Sequence, residues 1–438
     1  MKFKGTLALL AVFLVLGGYM YFAEYKGKDA KEEDTKKKAI NVDAGDIAEI
    51  SLITPDRTIT GVKKGEKQWE VANPQGIDPD QDEWELLATN VPRIEREDTV
   101  TTDGANLAQF GLKDPGLKVI AKTKDGKTIE LLFGDENPRK IYNYAKFSNS
   151  NDVFLSPSSW SRIFKKTLTD LRNKKVLELE ADDVDMVTIA EGTKETLFQK
   201  NGTDWLIKKP VDAKADASEM TTFLSSIRFA RATDFSDAAL DKPEIRITLH
   251  DGKANANREL LIAKAPEADK YYAKDSSRPA TMIIDKDLAE KSKRPVIDWR
   301  DKSIAQIDRD KTDQIEIVRG SDTLVIKKDG SDWKSADGKK LQWDKVSGML
   351  NTLEFDKAKD IIDVPKPARA YGLDKPKMEV VFRQGGKEAL RLAFGSDSKT
   401  PEGVYIGTSA SSAVKVVSKD VYDKFNVKAE ELVESAGK

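Results

Sequence analysis

KNGTDW at residues 200–205 and KDGSDW at 328–333 are the two lines of sequence from which the fold is read. Each is a lysine, a turn and a tryptophan. Asn-Gly-Thr and Asp-Gly-Ser tolerate positive φ and mark tight hairpin turns. The flanking stretches, TLFQKNGTDWLIKKP (196–210) and TLVIKKDGSDWKSAD (323–337), predict two strands joined there, with the indole in the return strand. A third version, KKGEKQW, stands at 63–69. Lysine at the rim keeps the edge soluble, and the tryptophan is expected in the core, where large aromatics dominate packing. The competing reading puts the indole on the surface, stacked on sugar or lipid.

The spacing of these hairpins implies repetition. Trp205 and Trp333 lie 128 residues apart, as do the starts of DLRNKKVLEL at Asp170 and DWRDKSIAQI at Asp298. FGLKDP (110–115) matches YGLDKP (371–376), and only LDKP (240–243) stands between them. A strand, a turn and a strand follow each time, ending in Phe133-Gly134 and Phe394-Gly395 in the outer copies. Then VFLSPSSW (153–160), MIIDKDLA (282–289) and KVVSKDVY (415–422) each pair an apolar strand with a helical start. Ser156, Asp285 and Ser418 are the expected N-caps, with Pro157 at the first helical position. Alternation in IAEISLI (47–53), DMVTIAE (185–191) and DQIEIVR (313–319) reads as half-buried strand. Trp84, Leu87, Val91 and Ile94 form a helical apolar stripe. Trp343, Val346, Leu350 and Leu353 repeat it, and Met220, Leu224 and Ile227 carry it in the middle copy.

The expected fold class is therefore α+β: three tandem repeated units of mainly antiparallel sheet with packed helices, preceded by one N-terminal transmembrane helix. GTLALLAVFLVLGGYMYFA, residues 5–23, carries no charge and is long enough for a signal-anchor. Lys2 and Lys4 precede it, and Lys26, Lys28 and Lys31 follow, so the charge bias across it is weak. The organisation reads as a cytoplasmic tip at 1–4, the anchor at 5–23, a charged tether at 24–44, and units at 45–170, 171–298 and 299–438. Everything after the anchor is expected outside the cytoplasm.

Composition narrows the chemistry. A net charge of −2, with 34% charged residues, gives no basic nucleic-acid surface. Absence of cysteine excludes disulfides and thiolate chemistry, and His250 is the one histidine. Asp78, Asp80 and Asp82 alternate like the start of a calcium loop. Glu83 and Thr89 stand where such a loop needs glycine and glutamate, so the run reads as an acidic helix start. Asn201-Gly-Thr203 matches a glycosylation acceptor but overlaps the turn. Arg172 and Arg300 open the second and third units, and either could fork onto an aspartate 13 residues on, Asp185 or Asp313. The alternative is a cation at a helix C-terminus. No catalytic, cofactor-binding or metal site is assigned, and no enzyme activity is expected.

The uncharged N-terminal stretch, the Leu-Arg-x-Lys junction at 171–174, the Lys-x-Gly-x-x-Trp hairpins and the Tyr-Gly-Leu-x-x-Pro segment together resemble a bacterial family catalogued as a domain of unknown function. The resemblance implies one N-terminal span, repeated extracytoplasmic units and genes beside ABC-type exporter components of the gliding-motility auxiliary kind. It carries no established catalytic or binding residues. The second unit departs from the pattern by lacking Phe/Tyr-Gly-Leu and Phe-Gly. The expectation is a non-enzymatic accessory or scaffold protein of an envelope ABC transporter assembly. It would be a single-pass protein of the bacterial inner membrane with its bulk in the periplasm or extracytoplasmic space. Its partners would be the membrane and transporter or other envelope proteins, with no nucleic acid. The alternatives are an envelope glycan- or lipid-binding module and, more weakly, a carboxylate-dependent hydrolase.

Overall fold

In the computed structural model, residues 37–104 and 106–434 are described. They build three sheets. In the first, β1 (Ile47–Thr54), β2 (Arg57–Gly65) and β3 (Gln68–Asn73) precede the helix Gln81–Asn90. After β4 (Thr99–Thr101) come β5 (Leu117–Thr123), β6 (Thr128–Glu136), β7 (Tyr142–Phe147) and β8 (Val153–Pro157). The spatial order is β3-β2-β1-β5-β6-β7-β8-β4. At the centre, β1 pairs antiparallel with both β2 and β5.

The second sheet repeats this plan with one extra short strand. β9 (Val184–Glu191), β10 (Lys194–Asn201), β11 (Asp204–Lys209) and β12 (Ala213–Lys214) precede the helix Ala217–Phe229. β13 (Asp234–Ser236), β14 (Ile245–Asp251), β15 (Ala256–Lys264), β16 (Lys270–Asp275) and β17 (Thr281–Asp285) follow. Their order is β12-β11-β10-β9-β14-β15-β16-β17-β13. In the third, β18 (Thr312–Arg319), β19 (Asp322–Asp329) and β20 (Asp332–Ser335) lead to the helix Trp343–Phe355. β21 (Asp360–Ile362), β22 (Met378–Gln384), β23 (Lys387–Lys399), β24 (Glu402–Thr408) and β25 (Ser411–Val417) complete it, in the order β20-β19-β18-β22-β23-β24-β25-β21. By contact, the described residues up to Lys175, with Ala232–Phe235, form one compact unit; Val176–Arg231 and Ser236 onward form a second.

The expected α+β class with a membrane-spanning helix is corrected. Each module is an antiparallel sheet of eight or nine strands, and the longest described helices have only 13 residues. One amphipathic helix per module covers part of a sheet face, so strand far outweighs helix. Among the described residues no helix is long and apolar enough to cross a membrane. The anchor expected over 5–23 lies outside them. Lys37–Ile40, read as part of the tether, are structured instead. Ala39 N–H donates to Ile94 O at 2.7 Å, Arg96 N–H donates to Lys37 O at 2.7 Å, and Ile40 is buried. Equivalent lead-ins recur, with Ala232 N–H donating to Lys174 O and Ala358 N–H to Lys302 O. These pairings cover backbone groups that would otherwise be left open.

The hairpin indoles are core residues: Trp69, Trp205 and Trp333 are each only 4–5% exposed. Register is shared as well, since Lys63, Lys200 and Lys328 lie opposite Trp69, Trp205 and Trp333. Gly202 and Gly330 carry the positive φ of the sister turns. Burying an indole removes roughly 200 Å² from water, which at about 25 cal/mol per Å² favours folding by about 5 kcal/mol before entropy is counted.

The Phe/Tyr-Gly-Leu and Phe-Gly motifs are two halves of one contact. Phe110 and Tyr371 end short 3₁₀ turns capped by Gly111 (φ 64°) and Gly372 (φ 68°). Their carbonyls press on Gly134 and Gly395, where a Cβ would sit 2.1 Å from Phe110 O or Tyr371 O. The middle copy lacks both motifs together, with Ala263 at the end of its corresponding stretch. A glycine is needed only where a carbonyl approaches that closely.

The expected caps are partly revised. Ser418 Oγ accepts Val421 N–H as an N-cap. Ser156 is buried and donates its hydroxyl to Glu95 O at 2.8 Å, and Pro157 takes the cap position of Ser158–Phe164. Asp285 accepts from Lys270 Nζ at 2.8 Å.

Candidate functional site

The residues that sequence reading singled out are scattered, and the structure gives each a local role. Asp80 accepts N–H groups of Asp82 and Glu83, so the acidic run caps Gln81–Asn90. Asn201 and Thr203 flank Gly202 at the β10–β11 turn. Among the described residues no group of three or more His, Cys, Asp or Glu could hold a metal ion.

His250, at the end of β14, is not merely exposed. Its Nδ1 lies 2.6 Å from Asp185 Oδ1 on β9, and its Nε2 lies 3.3 Å from Asn255 Oδ1. The Asp185 hydrogen bond raises the imidazole pKa above its ordinary value, against a smaller opposing effect of desolvation.

The expected fork of Arg300 onto Asp313 is not formed. Arg172 stacks on the Phe235 ring at 3.6 Å, inside the first compact unit. Asp185 is engaged by His250, and Asp313 Oδ2 accepts Gly385 N–H at 2.7 Å. Arg300 forks onto Asp363, with both terminal nitrogens 2.7 Å from a carboxylate oxygen. The fork is bidentate, the geometry that fixes orientation most firmly. The pairing failed because a 13-residue offset leads into the first strand of the sheet, whereas Asp363 follows β21 beside the lead-in.

Within the second compact unit, Arg300 sits among charged side chains on a segment that joins two modules. The chain runs from the helix Val296–Trp299 into a bridge between Ala215 and Arg300. Asp216 N–H donates to Trp299 O, and Asp301 N–H donates to Lys214 O. The same segment continues directly into the third module's lead-in at Lys302 and Ser303. A cavity of about 420 Å³ opens beside it, lined among others by Asp212, Lys214, Arg300, Asp301, Asp363 and Lys415. Lys415 Nζ donates to Ser303 O at 2.7 Å and Ile304 O at 2.9 Å. Burial pulls its pKa below the usual lysine range; Asp301 opposes this and Arg300 adds to it. The arrangement locks a backbone in place with charged groups.

Sequence reading missed Asp363 and Lys415. A signal for Lys415 was present: it aligns with Val153 and Met282, both buried, in the three matched strand-to-helix stretches. An amine in a column of buried apolar residues points to a polar target, here two lead-in carbonyls.

Comparison with known proteins gives one family. The profile described as "Domain of unknown function (DUF4340)" matches residues 69–239 and again 228–369. No curated protein matches the chain, and no solved structure matches it.

Proposed function

The chain belongs to the DUF4340 family, and from that premise we propose that it is a non-enzymatic accessory protein of an envelope ABC transporter assembly. It works through protein–protein contacts at the bacterial inner membrane, with its modules on the extracytoplasmic side. The uncharged stretch at 5–23 and the family resemblance support that location. The observation that carries the scaffold reading is the joint at 299–304. One uninterrupted segment bridges the edge of the second module at Ala215 and serves as lead-in for the third, and the Arg300–Asp363 fork and Lys415 pin it. A scaffold needs fixed spacing between its surfaces, and a joint without a flexible linker supplies it. The glycan- or lipid-stacking alternative has lost the hairpin tryptophans as platforms, since all three are buried.

In-cell crosslinking from a tagged copy, followed by identification of trapped partners, tests the proposal. Transporter or other envelope proteins are expected. Recovery of neither, where a known envelope complex is captured alongside, would defeat it.

A further inference from the structure

The first module differs from its sisters at one corner, and the difference is electrostatic. In the second and third modules the hairpin lysine reaches back to the carbonyl ahead of the first strand: Lys200 Nζ to Asp182 O at 3.4 Å, and Lys328 Nζ to Asp310 O at 3.5 Å. In the first module Lys63 is drawn away. Its Nζ lies 2.9 Å from Glu85 Oε2 and 5.6 Å from the centre of the Trp69 ring, while Trp69 Nε1 donates to the same carboxylate at 3.0 Å. Burial would raise the Glu85 pKa, but those hydrogen bonds outweigh it and hold the group low and charged.

The space left open is a groove of about 600 Å³ whose lining includes Lys63, Lys64, Lys67 and Lys124 against Glu66 and Glu85. Glu85 is already matched by Lys63. Lys64 has only an exposed, 3.5 Å contact with Glu70, the kind of pair that contributes little. Lys67 and Lys124 are exposed. The turn itself is unusual. The sister hairpins place positive φ on Gly202 and Gly330, whereas this one places it on Lys67 (φ 53°). A side chain there is strained by about 1–2 kcal/mol relative to glycine, so an amine stands where glycine would be easier.

We propose that this groove binds a phosphate group, carried by a soluble ligand or by a lipid headgroup. Several flexible amines around a wide groove suit a compact multi-oxygen anion. A carboxylate would be better served by a planar arginine fork, and the groove has none.

The test uses the full chain in detergent, wild type and K64Q/K67Q/K124Q, with inorganic pyrophosphate by calorimetry. A second arm uses phosphatidylcholine vesicles with and without phosphatidylglycerol. All three lysines are exposed, so the variant should keep the wild-type melting profile. Loss of about tenfold or more in pyrophosphate affinity, a difference of about 1.4 kcal/mol, assigns the groove to a soluble phosphate ligand. A loss confined to the phosphatidylglycerol-dependent part of vesicle binding assigns it to a headgroup. Either loss should shrink as salt is raised. Lys200→Gln, which stands in the second module where Lys63 stands in the first, lies outside the groove and should behave as wild type. Equal binding by wild type and triple variant in both arms, or no binding in either, overturns the proposal.

Discussion

The first and second modules share a sheet order but arm the same corner differently. At the end of β5, Lys122 pairs with Glu49 of β1, the two lying opposite each other at 2.6 Å. At the same register on β14, His250 lies opposite Met186 and turns to Asp185, also at 2.6 Å. The lysine-lined groove lies beside the first corner, whereas acidic Asp183, Asp185 and Asp251 gather at the second. What the two modules hold in common is apolar: the buried indole, the β-meander and the helix stripe. The fold tolerates wide change in corner charge because those side chains face water and contribute little to the core. Function is therefore to be sought where sister modules disagree.

The harshest way to break that comparison is to remove the shared part. Trp69→Ala and Trp205→Ala should each destabilise by about 3–5 kcal/mol, measured by hydrogen exchange resolved to each module. Trp69 should lie at the upper end. Its ring stacks on Trp84 at 5.7 Å and 21°, and its Nε1 is bonded to Glu85. A smaller loss at Trp69 than at Trp205 would show that these extra contacts are energetically idle.

A milder test uses the contact that one module has and the other lacks. Gly134→Ala in the first module forces a Cβ against Phe110 O and should cost about 1–3 kcal/mol as an overpacking change. Ala263→Gly in the second should cost only about 0.5–1 kcal/mol, the ordinary penalty for glycine in a strand. Thermal melts of the two variants give the answer. Equal losses would mean that the paired glycine motifs are not a single contact.

Much of this was legible because it rests on period and turn chemistry. The hairpins and the buried indoles followed from a turn followed by a tryptophan, and the two family hits agree with repetition. The helix register differs from the sequence expectation by one turn. The apolar stripes align Trp84 with Trp343, but the caps, Asp80 and Gln342, show that Trp84 corresponds to Val346. Val346 is buried and Trp343 is 61% exposed, because it starts the helix rather than facing the sheet. An apolar stripe of period near four fits equally well when slid by one turn, and only the cap breaks the tie. The side chains at the joint and corners were harder to see. Arg300 and Asp363 stand 63 residues apart, and His250 and Asp185 stand 65 apart. No local pattern encodes such pairs; they meet only once strand order is known.

The smallest expected effect concerns the one imidazole. His250 has its pKa raised by the Asp185 hydrogen bond, with Asp251 adding to it. A group whose pKa is higher folded than unfolded stabilises the fold fully below its unfolded value, about 6.5. That contribution fades as pH rises through the folded value, because the unfolded chain releases the proton first. The second module should therefore lose a little stability as pH climbs above neutrality, and His250→Gln should flatten that slope. The first module's corner carries no histidine, and imidazole is the side chain whose ordinary titration falls there. Its hydrogen-exchange stability should not track the same pH change. The side chains are 27% and 48% exposed, so solvent screens the pair and the slope will be shallow. An unchanged slope in His250→Gln would mean that the Asp185 contact, though short, is not felt by the fold.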